Sequence, residues 1–165
     1  MVRRGTLLLA DMVTIRTILV TTDLSPFSLS AISYATTMRL AFGARLHLLH
    51  VLEEKKGSAG NGTGSREEAL LELRAIVARL EGPEPICCVR EGDPAGEICR
   101  YARETGIDMI ILATHGRTGL RHMVMGSVAE RVVRRACVPV LTVKPPALAE
   151  SFLREEDVER ELHLC

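Results

Sequence analysis

Five short apolar, β-branched runs alternate along this chain with stretches whose apolar residues recur every three or four positions. The first run, Thr14 to Thr22, ends in the polar turn "DLSP" and reads as a buried strand. Ser25 with Pro26 then starts a helix, Pro26 at its first position. Phe27, Ala31, Ala35, Met38 and Phe42 predict that helix's apolar stripe, and Gly43 its end. Ala44 to Val51 is a second strand. A helix from about Glu67 to Leu80 follows, with Ala69, Leu73, Ile76 and Leu80 facing inward. "PICCVREGD" is the third strand with its exit turn. Asp93 caps a third helix that begins at Pro94 and buries Ile98, Tyr101 and Ala102. Met109 to Ala113 is continuously apolar, as expected of a central strand covered on both faces. Ser127 to Ala136 predicts a fourth helix and Val138 to Val143 a fifth strand, with Pro139 favouring an edge position.

Strict alternation of strands and helices predicts a three-layer, open α/β domain: a five-stranded parallel sheet, Rossmann-like, with right-handed crossovers and helices on both faces. Such sheets bind ligands at the carboxyl ends of their strands, where the strand order reverses. If the first strand neighbours the fourth, Asp23 meets the segment from Ala113 to Gly119 in that crevice.

The domain is expected over residues 14–146, with an N-terminal extension at 1–13 and a polar linker at 53–66 inside it. Gly60, Gly62 and Gly64 in that linker do not run from a strand into a helix, so a phosphate-loop reading fails. Asn61-Gly62-Thr63 is a glycosylation sequon that matters only in a secreted protein. Residues 147–165 are charged; Leu148, Phe152, Val158 and Leu162 suit an amphipathic helix, with a frayed, solvated helix the alternative.

Composition narrows the function. The 165 residues carry 21 basic and 21 acidic side chains, so no long-range pull towards nucleic acid or an anionic membrane is expected. With no Trp, two Tyr and three Phe, the chain lacks aromatic platforms for single-stranded nucleic acid. No stretch is long enough to span a membrane, and the apolar run near the N-terminus is too short for a secretory signal. The five cysteines, Cys87, Cys88, Cys99, Cys137 and Cys165, form no CxxC pair and read as reduced, mostly buried thiols of a cytoplasmic protein. Cys87 and Cys88 are expected on opposite faces of their strand, as are His47 and His50 on theirs.

One segment breaks the balance. Leu112 to Val132 gathers His115, Arg117, Arg121 and His122 without an acid until Glu130, then restarts as a helix at Gly126-Ser127. Helix starts carry unpaired amides and attract anions, and glycine lets a phosphate approach the backbone. Gly116 and Gly119 let the preceding loop turn its amides inward. On spacing alone, Ser127 as a plain helix start and glycines as plain turns remain the alternative.

"ILVTTDLSPFSLSAI" and "DMIILATHGRTGLRHMVMGSVAERVVRRACVPVLTV" resemble the universal stress protein family over Ile15 to Val143. The resemblance implies strand order 3-2-1-4-5, a cytoplasmic homodimer joined through the last strand (Val138 to Val143), and ATP, with or without Mg²⁺, bound through a Gly-x-x-Gly, nine residues, Gly-Ser/Thr motif. The motif falls on Ala113, Gly116, Gly126 and Ser127, with Arg117 to Met125 between; alanine replaces the first glycine. By the same resemblance Asp23 lies near the adenosine, the Val51 backbone faces adenine, and Val128 adds an amide to the phosphates. His115, Arg117 and Gly119 complete the expected nucleotide-binding set. The implied function is an ATP-binding regulatory module of the stress response; a nucleotide-independent dimeric scaffold and a weak ATPase are the alternatives. No Walker A sequence, GxSxG elbow or zinc-type spacing marks an enzyme.

Overall fold

The computed structural model describes residues 13–53, 65–114 and 125–144. The N-terminal extension, most of the linker, residues 115–124 and the C-terminal tail lie outside them. The elements run β1 (Thr17–Thr22), α1 (Pro26–Phe42), β2 (Arg45–Leu52), α2 (Arg66–Val77), β3 (Ile86–Glu91), α3 (Pro94–Glu104), β4 (Met109–Ala113), α4 (Ser127–Arg135) and β5 (Val140–Val143). All strand pairs are parallel and the order is β3-β2-β1-β4-β5, as the resemblance implied. Pro139 immediately precedes the edge strand β5, where its missing N–H costs nothing, while its carbonyl accepts from Ile110 N at 2.9 Å.

Alternation along the strands divides the core in two. Ile18, Val20, Leu46, Leu48 and Ile111 face α1 and α2; Leu19, Leu49, Ile110 and Leu112 face α3 and α4. Ile18, Leu19, Leu48, Leu49, Ile110 and Ile111 are fully buried. Each contributes about 1.5–3 kcal/mol by leaving water. Cys87 packs against the first core and Cys88 against the second, as the period of two requires.

Two expectations need correction. The buried stripe of α1 is Ser28, Ala31, Ile32, Ala35 and Arg39, while Phe42 is exposed and Met38 only partly covered. Small residues let the helix lie close on β1 and β4. Arg39 enters because its guanidinium donates to the carbonyls of Glu81 and Pro83, a need no hydrophobic count registers. Secondly, the described cysteines are not mostly buried: Cys99 is, Cys87 and Cys88 are half-buried, and Cys137 is exposed.

The other local signals hold. Gly43 ends α1 at φ 64°. Asp93 caps α3 by accepting from Gly96 N at 3.0 Å, and Arg131 of α4 donates to the same carboxylate at 2.6 Å. These bonds, Arg131 first, hold the Asp93 carboxyl below the usual range. Ser65 and Glu68 form a capping box at the start of α2.

Candidate functional site

The sheet order places β1 beside β4, with α1 and α4 on opposite faces, so the strand order reverses at their carboxyl ends, the crevice position at which such sheets bind ligands. On the β1 side the chain leaves through a tight, hydroxyl-rich turn. Leu24 sits at φ 63°, alone among the described non-glycine residues in the left-handed region, at a cost of about 1 kcal/mol. Hydrogen bonds hold it there. Leu24 N donates to Thr22 Oγ1 at 3.0 Å. Thr22 Oγ1 and Ser28 Oγ are 2.7 Å apart, and Ser28 Oγ donates to Ser25 O at 2.8 Å. Asp23 Oδ1 accepts from Ser25 N at 3.1 Å and Ser25 Oγ at 2.6 Å. Asp23 therefore lies immediately past the carboxyl end of β1 and fastens the start of α1.

Beneath this turn lies a group that the sequence did not single out. His50, buried at the end of β2, sits 2.8 Å by its Nδ1 from the main-chain oxygen of Thr22. A carbonyl only accepts, so the proton is on Nδ1. The register pair Thr22↔His50 sets this contact; a neighbouring-strand partner is invisible in a one-dimensional pattern. Val51, next along, turns its side chain to the α3–α4 core.

On the β4 side the decisive residue is Thr114, also missed by the sequence reading. Its N–H donates to Val143 O at 2.8 Å, and its carbonyl accepts from Gly126 N at 2.6 Å. The second bond ties the start of residues 115–124 to their end. It also explains Gly126: a Cβ there would stand 3.0 Å from Thr114 O. Gly126 has an ordinary extended conformation (φ −69°, ψ 153°), so close approach, not backbone freedom, demands glycine.

The clasp delivers the first turn of α4 to the crevice. By helix geometry the amides of Ser127, Val128 and Ala129 have no acceptor within the helix, and the partial positive charge there favours an anion. Ser127 is exposed, so its hydroxyl is on the same open surface. Ala113, where the motif has glycine, does not have a positive φ, and its methyl packs against the core that faces α1. His115, Gly116, Arg117 and Gly119 lie outside the described residues. The structure thus brings Asp23, Ala113, Gly126, Ser127 and Val128 to the strand ends, with Val51 at the end of β2 one strand away from Asp23.

The sequence and fold are similar to those of known proteins. Universal stress protein MJ0531 of Methanocaldococcus jannaschii is 33% identical over 144 residues, spanning 78% of this chain and 82% of the relative. The solved structure of MJ0577, from the same organism, superposes with a TM-score of 0.68 at 28% identity, covering 80% of this chain and 97% of that one. A universal stress protein solved in complex with cAMP shares the fold at TM-score 0.62 and 22% identity, over 80% of this chain and 98% of that chain. The sequence profile of the universal stress protein family matches residues 14–144, the whole span from the approach to β1 to the end of β5, and this chain belongs to that family.

Proposed function

We propose that this chain is a nucleotide-binding regulatory module of the stress response, holding ATP at the carboxyl ends of β1 and β4. The observation that carries the reading is the Thr114–Gly126 clasp, which holds the start of α4, with the amides of Ser127 and Val128, at the carboxyl end of β4, the strand next to β1 and its following Asp23. The donor set suits a polyphosphate: amides at a helix start, a serine hydroxyl, and the loop residues Gly116, Arg117 and Gly119. Asp23 takes the ribose side, and the end of β2 at Val51 takes the base. The related protein solved with cAMP supports an adenine nucleotide by analogy.

In this reading ATP alters the loop Gly116 to Met125 and so the surface offered to partners. Ala113 is compatible, because its backbone does not require glycine and its partly buried methyl packs against the core. The outer edge of β5, the last strand among the described residues, is the proposed homodimer contact, and the cytoplasm the proposed compartment. The proposal assigns no catalytic residue and extends at most to slow hydrolysis.

The test is nucleotide release. Purified protein is denatured and the supernatant chromatographed; separately, ATP with Mg²⁺ is added and the melting midpoint followed. Co-purifying adenine nucleotide, or a concentration-dependent rise in Tm, is expected. If neither occurs, the nucleotide-independent scaffold takes its place.

A further inference from the structure

A second feature lies at the other end of the sheet. An apolar cleft of about 180 Å³ opens between the C-terminal half of α3, the turn before β4 and the segment joining α4 to β5. Ala102, Ile107, Ile110 and Val138 supply its apolar wall, and two of the chain's five cysteines, Cys99 and Cys137, both line it. Cys99 is buried on α3, whereas Cys137 is exposed in the turn after α4. Gly106, Ile107 and Val138 all precede their strands, so this cleft is separated from the nucleotide crevice by the length of β4.

We propose that Cys99 and Cys137 form a peroxide-driven, reversible disulfide across this cleft. Both side chains line the same small cleft, and Cys137 is on the exposed turn, so the approach of one sulfur to the other has open space to use. Exposure makes Cys137 the sulfur that a hydroperoxide meets first. Its thiolate attacks one peroxide oxygen; the O–O bond breaks, and sulfur is oxidised by two electrons to the sulfenic acid. The other oxygen leaves as alkoxide and takes up the thiol proton as alcohol, or as water when the oxidant is hydrogen peroxide. The Cys99 thiolate then attacks the sulfenic sulfur. An S–S bond forms, the S–O bond breaks, and hydroxide leaves with the Cys99 proton as water. In sum, two thiols and one hydroperoxide give a disulfide, one alcohol and one water. A thiol reductant reverses the change. Arg103 and Arg135 favour the Cys99 thiolate, partly countering the burial that raises its pKa. The bridge closes a loop that contains β4, residues 115–124 and all of α4, and so constrains the elements that carry the proposed nucleotide site.

The full chain is treated with hydrogen peroxide, free thiols are alkylated, and the digest is mapped by mass spectrometry without reduction. The expected result is a Cys99–Cys137 peptide pair within a monomer-sized band on a non-reducing gel, lost after reduction. The melting midpoint should rise by about 5–10 °C, as for a long closed loop. The rise should vanish in Cys137→Ser, a surface change that leaves the fold intact, and also in Cys99→Ala. The proposal is overturned if Cys137 ends as sulfinic acid with Cys99 still alkylatable, if the crosslink joins two chains, or if the pair involves Cys87, Cys88 or Cys165. None of these readouts depends on ATP.

Discussion

Gly126→Ser sets two physical rules against each other. Serine is a better N-cap than glycine by a few tenths of a kcal/mol, because its hydroxyl accepts from the second or third amide of the helix. Gly126 is the N-cap of α4, so propensity alone predicts a small gain in stability. The contact predicts the reverse. Any Cβ at this position stands 3.0 Å from the Thr114 carbonyl oxygen, which accepts the 2.6 Å bond from Gly126 N. Relief requires that oxygen to move away and the bond to stretch. Thr114 is buried, so weakening this bond costs about 0.5–1.5 kcal/mol, with little compensation from water. The contact outweighs the cap, and the net loss is about 1 kcal/mol, or about 2–4 °C in Tm for a domain of this size. Urea unfolding at pH 7, followed by circular dichroism, measures it. A Gly126→Ser protein as stable as the parent, or more so, refutes the clasp as the reason for glycine. The ATP-induced rise in Tm is expected to shrink in the same variant, since the amides of α4 move with the clasp.

Arg39→Met removes the guanidinium that holds the Glu81 and Pro83 carbonyls; both residues are exposed and water replaces the donor, so the loss is about 1–2 kcal/mol, read as a lower urea midpoint. Asp108→Ala releases Arg16 N, Thr17 N and Thr17 Oγ1, all within 2.9 Å of Asp108 Oδ2, for about 1–2 kcal/mol at neutral pH. These bonds, the Arg16 amide first, hold the Asp108 carboxyl below its ordinary 3.8. Its contribution is therefore complete above that value and lost as pH falls through the depressed one, so the gap between parent and variant narrows in acid. His47, buried and 2.9 Å from Tyr101 Oη, has its pKa lowered by burial and then by Arg45. The unfolded chain binds the proton more readily, so stability falls as pH drops from about 6.5 towards the folded value. His47→Gln flattens that slope between pH 7 and 5.5 in urea titrations.

The sheet was legible because its signal is local. Continuous apolar runs marked the central strands, and Asp93-Pro94 and Gly43 punctuated the helices where the backbone needed them. The α1 stripe was not, since Arg39 is buried by two carbonyls from a loop more than 40 residues away. Likewise Thr114 is an unremarkable residue after a strand until the sheet supplies Val143 on one side and the returning chain supplies Gly126 on the other. His50 looked like one of two strand histidines; only the pairing of β1 with β2 gives it the Thr22 carbonyl.

The same distinction separates the two ends of the motif. Sequence alone treats Ala113 and Gly126 alike, as positions where the family has glycine. Their surroundings differ. At 113 the strand runs on without a positive φ and the methyl has a core to enter, so alanine is accommodated. At 126 the backbone angles suit any residue, yet a carbonyl oxygen occupies the place of the side chain. Glycine at the helix start is therefore required by the chain's own packing before any ligand arrives. That requirement makes the anchored helix terminus the part of the motif least free to change, and it leaves the substitution at the strand end as a poor guide to whether nucleotide binds.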